Sequence, residues 1–130
     1  MIVLDASAAL ELLLQTPRAE AIAAIALTPL QQLHAPHLLD IEVAQALRRL
    51  VQHKAISAHR AAIVLDDYGD LAIERHGQTM LLRRVFELRD SLTAYDGVYV
   101  ALAEALGAPL LTCDARLSRA HGHRAHVTLV

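Results

Sequence analysis

The sequence predicts an α/β protein in which helices cover a mainly parallel sheet. Short apolar runs alternate along the chain with longer segments whose apolar residues recur every three or four positions. Of the 130 residues, 55% are apolar and 20% are charged, so the chain can form a core and disorder is excluded. Strands that alternate with helices are typical of a parallel sheet in layers, because a helix usually connects one parallel strand to the next.

The predicted strands are short and apolar, as expected of strands that are buried on both faces. The first contains two β-branched residues and is followed at once by Asp5. The clearest of the others follows Gly107, a residue typical of helix ends. Strands are expected at Ile2–Leu4, Leu33–Ala35, Leu71–Glu74, Pro109–Cys113 and Ala125–Leu129.

Prolines, glycines and capping residues mark the ends of the predicted helices. Thr16-Pro17 ends the first helix, Thr28-Pro29 ends the second, and Gly107 ends the helix before the fourth strand. Helices are expected at Ala8–Gln15, Arg18–Leu27, about His37–His53, Ser57 to about Leu71, Gln78–Arg89, Thr93–Leu106 and Asp114–Ala120. No repeat, low-complexity tract or linker interrupts this order, so residues 1–130 are expected to form a single domain.

The composition excludes several classes of protein. Three Tyr, one Phe and no Trp leave no aromatic sheet surface for base stacking, and a net charge of −2 excludes an overall basic coat. The single cysteine, Cys113, cannot form an internal disulfide, which indicates a reducing compartment. The N-terminus lacks the basic region of a signal peptide, and prolines interrupt the longest uncharged stretch, Ala21–Leu39. We therefore expect a cytoplasmic protein with no membrane partner.

Two of the predicted strands lead directly into an aspartate. Asp5 follows the first strand and Asp114 follows the fourth. Ligands of open α/β sheets bind beyond the carboxyl ends of the strands, so two parallel central strands would direct both carboxylates into one crevice. Alternatively, each aspartate simply caps the helix that follows it. Ser7 and Thr112 lie beside these acids and offer hydroxyl groups that hold a carboxylate or a metal-bound water.

Asp96 lies on the apolar stripe of the helix predicted at Thr93–Leu106. Leu92, Tyr95 and Tyr99 share this stripe at spacings of three and four residues. A carboxylate on a buried stripe is desolvated and requires a cation, a metal ion or a proton to neutralise it. The alternative is a capping box formed with Thr93 at the start of the helix. Both interpretations are compatible with the spacing.

Glu42 lies on the helix after Pro36, on one face with Gln45 and Arg49. From spacing alone, this face is interpreted as an ordinary solvated surface. Asp40 points elsewhere and is expected at the surface or at the edge of the site.

A crevice lined by several carboxylates would require a cation, because like charges at close range cannot all remain ionised. Oxygen ligands favour Mg²⁺ or Mn²⁺ over Zn²⁺. The eight histidines form no zinc pattern with cysteine, and Cys113 is interpreted as a small buried residue in a strand. No phosphate-binding loop or dinucleotide-binding motif is present.

Four segments together resemble the PIN-domain family, specifically the VapC-type toxin ribonucleases of bacterial toxin–antitoxin pairs. The resemblance covers nearly the whole chain, and the order and spacing of the segments make it specific. The segments are Val3-Leu4-Asp5-Ala6-Ser7-Ala8, Glu42-Val43-Ala44-Gln45-Ala46-Leu47-Arg48-Arg49, the run from Leu92 through Asp96 to Glu104, and Leu110-Leu111-Thr112-Cys113-Asp114-Ala115-Arg116-Leu117.

The resemblance implies which residues form the site. Carried over residue by residue, the acidic quartet of the family falls on Asp5, Glu42, Asp96 and Asp114, and its polar residue two positions before the last acid falls on Thr112. The resemblance therefore assigns Glu42 to the site instead of to the solvated surface. The chain departs from the family pattern at Gln45, where Asn is frequent, and at Gly97, where Ala is more common, which leaves the role of Gln45 open.

The resemblance also implies fold, activity and partners. It implies a three-layer α/β/α sandwich, endoribonuclease activity on structured RNA such as transfer RNA or ribosomal RNA, dependence on Mg²⁺ or Mn²⁺, homodimers, and inhibition by a cognate VapB-type antitoxin. Asp5, Asp96 and Asp114 would be the main metal ligands, and Glu42 would complete the set or orient water. The candidate phosphate contacts are Arg48, Arg49, Arg116 and Arg119.

Two alternatives to an RNA-cleaving toxin remain open from the sequence. One is a catalytically idle module whose acids dock a basic partner peptide, and the other is a metal-dependent nuclease that acts on DNA. A receiver domain also gathers acids at strand ends, but it requires a lysine near the last strands. Lys54 is the only lysine and lies far from them in the sequence.

Overall fold

The computed structural model describes residues 1–130 and contains one sheet of five parallel strands. The strands are β1 (Ile2–Leu4), β2 (Leu33–Pro36), β3 (Ile73–His76), β4 (Leu110–Thr112) and β5 (Val127–Leu129). Their spatial order is β3-β2-β1-β4-β5, so β1 lies at the centre and β3 and β5 form the edges. The expected mainly parallel sheet is confirmed, and no strand in it is antiparallel.

Seven helices flank the sheet on both sides. The connections β1–β2 and β2–β3 run in one direction across the sheet, whereas β3–β4 and β4–β5 run in the other. Because parallel crossovers are right-handed, the first four helices lie on one face and the last three on the opposite face. The helices are α1 (Ala6–Leu13), α2 (Ala19–Ala26), α3 (Leu38–Gln52), α4 (Ala58–Asp70), α5 (Leu82–Glu87), α6 (Ala94–Leu106) and α7 (Ala115–Arg119). The predicted three-layer α/β/α sandwich is therefore confirmed.

The core lies where the central strands meet the helix layers. Val3, Leu4, Leu110 and Leu111 of the two middle strands are fully buried. Against them packs α6, in which every residue from Gly97 to Ala103 is buried. This explains why β1 and β4 show no polar alternation, because both faces of each strand are covered.

Two predicted elements differ from those observed. The helix expected at Gln78–Arg89 is instead a 3₁₀ turn at Thr79–Leu81 followed by α5, in which Val85 is the one buried residue. The strand expected at Leu71–Glu74 lies two residues later, at Ile73–His76. Its polar residues are tolerated because β3 is an edge strand.

No helix combines the length and the apolar character that a membrane span requires.

Candidate active site

The candidate site begins at the switch point of the sheet, between β1 and β4. These strands are hydrogen-bonded neighbours, but the connections that leave them run in opposite directions across the sheet. A crevice forms at such a point beyond the carboxyl ends of the strands. Asp5 follows β1 directly and Asp114 follows β4 by two residues, so both acids lie at this edge.

Asp5 is buried, with 5% of its surface exposed, and its carboxylate accepts three hydrogen bonds. Oδ1 accepts from the Ser7 hydroxyl at 2.7 Å and from the Ala8 amide at 2.9 Å. Oδ2 accepts from the hydroxyl of Thr112. The Ala8 bond confirms that Asp5 caps α1, but capping involves only one of the two carboxylate oxygens. The other oxygen is held across the sheet by β4.

The two hydroxyls that contact Asp5 also tie down the turn after β4. Ser7 Oγ accepts a hydrogen bond from the Cys113 amide at 2.9 Å, and Thr112 Oγ1 accepts one from the Asp114 amide at 2.9 Å. Each hydroxyl therefore donates to Asp5 and accepts from the backbone beside Asp114. Ser7 and Thr112 therefore join Asp5 to the turn that carries Asp114.

Burial raises the pKa of Asp5, because the low-dielectric surroundings disfavour its charged form. The hydrogen bonds from Ala8, Thr112 and Ser7 act in the opposite direction, and the nearby charge of Asp114 raises the pKa further. Three hydrogen bonds do not outweigh burial beside a second carboxylate. Asp5 would be more stable as an anion with a cation beside it.

Glu42 is half-buried on α3, where its Oε2 accepts a hydrogen bond from the hydroxyl of Tyr99 on α6. Burial raises the pKa of Glu42, the Tyr99 bond opposes this shift, and the charges of Asp96 and Asp5 reinforce it. The solvated surface inferred from spacing alone is therefore wrong for Glu42. Its long-range partner lies 57 positions away, which helical periodicity does not reveal.

Asp96 lies in the first turn of α6, beside Glu42. The Thr93 hydroxyl accepts a hydrogen bond from the Asp96 amide at 3.2 Å, so Thr93 caps the helix. The side chain is half-buried, less than its place on the predicted stripe implied. Tyr95, assigned to the same stripe, is 65% exposed. Within α6 itself, the buried residues begin at Gly97, after the first turn.

Asp114 is paired with a cation from its own segment. Its Oδ2 accepts a hydrogen bond from Arg116 Nη2 at 2.7 Å, and Nε lies 3.1 Å from the same oxygen. These bonds hold the pKa of Asp114 below its usual range. Asp114 also caps α7 by accepting from the Arg116 amide at 2.8 Å, so the capping alternative is confirmed without excluding a second role.

The donor set of the four acids fits a hard divalent cation. All of the donors are oxygens. The charge of Asp114 raises the pKa of Asp5, and the charges of Asp96 and Asp5 raise the pKa of Glu42. No three of the acids bring oxygens within 4.8 Å of one another. Mg²⁺ commonly keeps several waters and takes one or two carboxylates directly, so this wider spacing suits a largely hydrated ion.

A groove of about 550 Å³ adjoins Glu42. Its polar wall consists of Glu42, Gln45 and Arg49, and the rest is mainly apolar. The apolar lining comprises Ala6, Leu10, Leu38, Ile41, Ala46 and Tyr95. The departure from the family pattern at Gln45 therefore faces the groove beside Glu42.

The four candidate arginines are all exposed but lie at different places. Arg49 lines the groove, and Arg116 binds Asp114. Arg119 lies near enough for its charge to lower the pKa of Asp114. Arg48 borders a separate hollow between α3 and α4, so the structure does not bring it to the acids.

Sequence reasoning did not identify the contacts of Tyr99 and Asp40. Tyr99 was assigned to the apolar stripe, although its position three residues after Asp96 places its hydroxyl on the same side of α6. Asp40, expected at the surface or at the edge of the site, is engaged elsewhere. It accepts hydrogen bonds from Tyr68 at 2.6 Å and from Arg75 at 2.8 Å.

The architecture and the acid-lined edge define a PIN domain, and a model of this domain matches residues 2–122. The chain belongs to the PIN-domain family. Within it, the chain belongs to the VapC group: over all 130 residues it is 45% identical to ribonuclease VapC12 of Mycobacterium tuberculosis, with 99% of that protein covered. The last strand, β5, lies beyond the matched residues but pairs with β4.

Two crystal structures show the same fold. VapBC2 from Rickettsia felis, bound to a DNA fragment from their promoter, gives a TM-score of 0.73 at 14% identity, covering 99% of this chain and 98% of that chain. VapC20 of Mycobacterium tuberculosis, a sarcin–ricin loop cleaving toxin, gives a TM-score of 0.66 at 11% identity, covering 92% of this chain and 94% of that chain. At these identities the likeness concerns the fold alone.

Proposed function

We propose that this chain is a metal-dependent endoribonuclease that acts, as one PIN domain, as the toxin of a type II toxin–antitoxin pair. The observation that carries the proposal is the repulsion among four acids that come from separate elements of the chain and lie near the carboxyl ends of the strands. Burial and mutual repulsion raise the pKa of both Asp5 and Glu42, and the one cation bonded to the four acids is Arg116. Carboxylates placed in this way are more stable with a divalent cation bound than without one.

Mg²⁺ or Mn²⁺ held there would activate water and stabilise charge on a scissile phosphate. In this proposal, Asp5, Asp96 and Asp114 hold the ion directly or through water, and Glu42 orients a water molecule. Thr112 and Ser7 keep Asp5 in place through their hydroxyls. Tyr99 does the same for Glu42. These residues therefore preorganise the carboxylates, which limits the reorganisation needed when substrate binds.

RNA is proposed as the substrate because VapC12 is named a ribonuclease and VapC20 is described as cleaving the sarcin–ricin loop. Structured RNA, either transfer RNA or ribosomal RNA, is therefore the first class to test. The arginines best placed to contact phosphates are Arg49 in the groove and Arg116 and Arg119 on α7. Arg48 is the weakest of the four candidates, because it faces another hollow.

A VapB-type antitoxin is the proposed partner, in line with the VapBC2 complex found among the structural neighbours. The groove combines apolar walls with the carboxylate of Glu42, so it suits an apolar peptide that carries a basic side chain. We also propose a homodimer. Met80, Leu82 and Phe86 are exposed on and beside α5, and an apolar surface of this kind is commonly covered by a partner.

The test is an RNA-cleavage assay with purified protein, total transfer RNA and a sarcin–ricin stem-loop. Cleavage should require Mg²⁺ or Mn²⁺, stop with EDTA, and leave 3′-hydroxyl and 5′-phosphate ends, because water attacks instead of the ribose 2′-hydroxyl. Asp96→Asn should lose at least about a hundredfold in rate. Cleavage by Asp96→Asn at the wild-type rate would contradict the proposed site.

Two further arms separate the alternatives. Single-stranded DNA of matched sequence tests for a DNA nuclease, and equal cleavage of both substrates would contradict the assignment to RNA. Calorimetric titration with Mn²⁺ tests the alternative of a catalytically idle binding module. For such a module we expect neither metal binding nor cleavage. Co-expression with the product of the neighbouring small reading frame should suppress cleavage if that product is the antitoxin.

A further inference from the structure

A second group of potential metal ligands lies at the β3 edge of the sheet. It comprises His34 on β2 with Glu74 and His76 on β3. His34 Nδ1 is 2.9 Å from His76 Nε2 and 3.7 Å from Glu74 Oε2, and His76 Nε2 is 3.9 Å from Glu74 Oε1. No other histidine, cysteine, aspartate or glutamate triplet in residues 1–130 comes this close.

Strand pairing brings these three residues together. In the parallel register His34 is opposite Glu74, and Pro36 is opposite His76. Residues two apart on a strand point to the same face, so Glu74 and His76 both face the side on which His34 lies. The histidines therefore meet through the sheet register, although they are 42 positions apart in the chain.

The local chemistry leaves the facing nitrogens available for a ligand. At 2.9 Å the two facing nitrogens share one hydrogen bond when both rings are neutral. A tautomer shift of the donor ring moves that proton to its far nitrogen and frees both lone pairs for a metal ion. Burial lowers the pKa of His34. The nearby His76 and the N-terminal ammonium lower it further, whereas the charge of Glu74 raises it. Neutral imidazole is the form of histidine that binds metals.

We propose that His34, Glu74 and His76 form a second metal site that takes Zn²⁺ or a similar transition-metal ion. Ligand atoms of a tetrahedral zinc site lie roughly 3.3 Å apart, given zinc–nitrogen bonds of about 2.0–2.1 Å. The three distances in this cluster bracket that value. Glu74 is 67% exposed and can adjust its position freely. Two imidazoles and a carboxylate suit zinc, whereas the oxygen-only acids of the candidate active site suit Mg²⁺.

Burial of His34 sets limits on this site. Its Nε2 is buried without a hydrogen-bond partner, and metal binding through Nδ1 leaves a proton on that nitrogen. A buried donor without a partner weakens binding, so we expect micromolar affinity. Glu74 and His76 are partly exposed, which leaves an entry path and a position for water as the fourth ligand. The bound ion would cross-link β3, an edge strand, to β2.

Zinc titration of untagged, EDTA-treated protein tests the proposal, since a polyhistidine tag would itself bind zinc. Calorimetry should show one zinc ion per chain. Glu74→Ala and His76→Ala should each weaken binding at least tenfold. Saturating zinc should raise the Tm of the wild type by about 3 °C or more and leave that of His76→Ala unchanged. Co²⁺ should give visible absorption bands that zinc displaces.

Matched variants separate this site from the acids. His59→Ala removes an exposed histidine on α4, and Asp96→Asn alters the candidate active site, so both should retain zinc binding. Glu74→Ala should keep wild-type RNA cleavage with Mg²⁺, which distinguishes failure here from failure of the proposed nuclease. Because Glu74 is exposed, this variant is expected to fold even if His76→Ala does not. Unchanged zinc affinity in Glu74→Ala, or loss of binding in Asp96→Asn, would overturn the proposal.

Discussion

Thr112 donates its hydroxyl to Asp5 across 107 positions of the chain, and this bond joins β4 to β1 at the candidate active site. The same hydroxyl accepts a hydrogen bond from the Asp114 amide, so a single buried threonine positions two of the four acids. Its side chain is fully buried, and its place is determined by the core as well as by the site.

Thr112→Val should therefore affect both acids without changing the volume of the side chain. It leaves Asp5 with one donor fewer and the Asp114 amide without an acceptor, which should cost about 1–3 kcal/mol of unfolding free energy. Cleavage should fall about 10–100-fold, as for other partners that orient metal ligands. Thr112→Ser retains the hydroxyl and is the control in both assays. Equal activity in Thr112→Val and Thr112→Ser would show that the bond is not needed.

Asp5→Asn should abolish cleavage and yet stabilise the protein at neutral pH. The raised pKa means that folded Asp5 binds its proton more tightly than unfolded Asp5. Stability from this group is thus highest at low pH and is lost as pH rises through the folded pKa. Removing the charge should raise the unfolding free energy by about 1 kcal/mol at neutral pH. Urea unfolding of the wild type and of Asp5→Asn at several pH values should show that the difference in unfolding free energy increases with pH. A difference that decreases with pH would contradict the prediction.

Tyr99→Phe should shift the acidic limb of the pH–rate profile to higher pH. The Tyr99 hydroxyl lowers the pKa of Glu42, against burial and the charges of Asp96 and Asp5. Without it, the pKa of Glu42 rises further, so a higher pH is needed to ionise this carboxylate. Tyr95→Phe is the control, because Tyr95 is exposed and no hydrogen bond joins it to Glu42. Superimposable profiles for wild type and Tyr99→Phe would show that ionised Glu42 does not limit cleavage.

Arg116→Gln should tighten Mn²⁺ binding at the acids. Arg116 neutralises Asp114 and lowers its pKa, so it competes with a divalent cation for the same oxygens. The Arg116 side chain is 77% exposed, so the gain should be modest, about two- to fivefold. Calorimetry with Mn²⁺ measures it, with Arg83→Gln as an exposed control. Weaker Mn²⁺ binding in Arg116→Gln would show that the guanidinium positions Asp114 for the metal.

Much of the fold could be predicted from local patterns. The β1 and β4 strands are apolar runs followed by an aspartate, and α6 ends just before Gly107 as predicted. The helices α1 and α2 end at Leu13 and Ala26, a few residues before Pro17 and Pro29. Prediction was poorest at the surface. The region after Gly77 begins with a 3₁₀ turn before α5, and β3 carries the polar residues that an edge strand allows.

The acids illustrate the division between sequence and tertiary structure. Residue types and local spacing determined that Asp5, Asp96 and Asp114 lie at the starts of helices, because capping and strand ends are properties of neighbouring residues. Only the folded chain decided that Glu42 is half-buried against Tyr99, and that His34 meets His76. Both contacts depend on elements packed side by side from distant parts of the chain, so burial, charge coupling and pKa there are set by packing that no local pattern encodes.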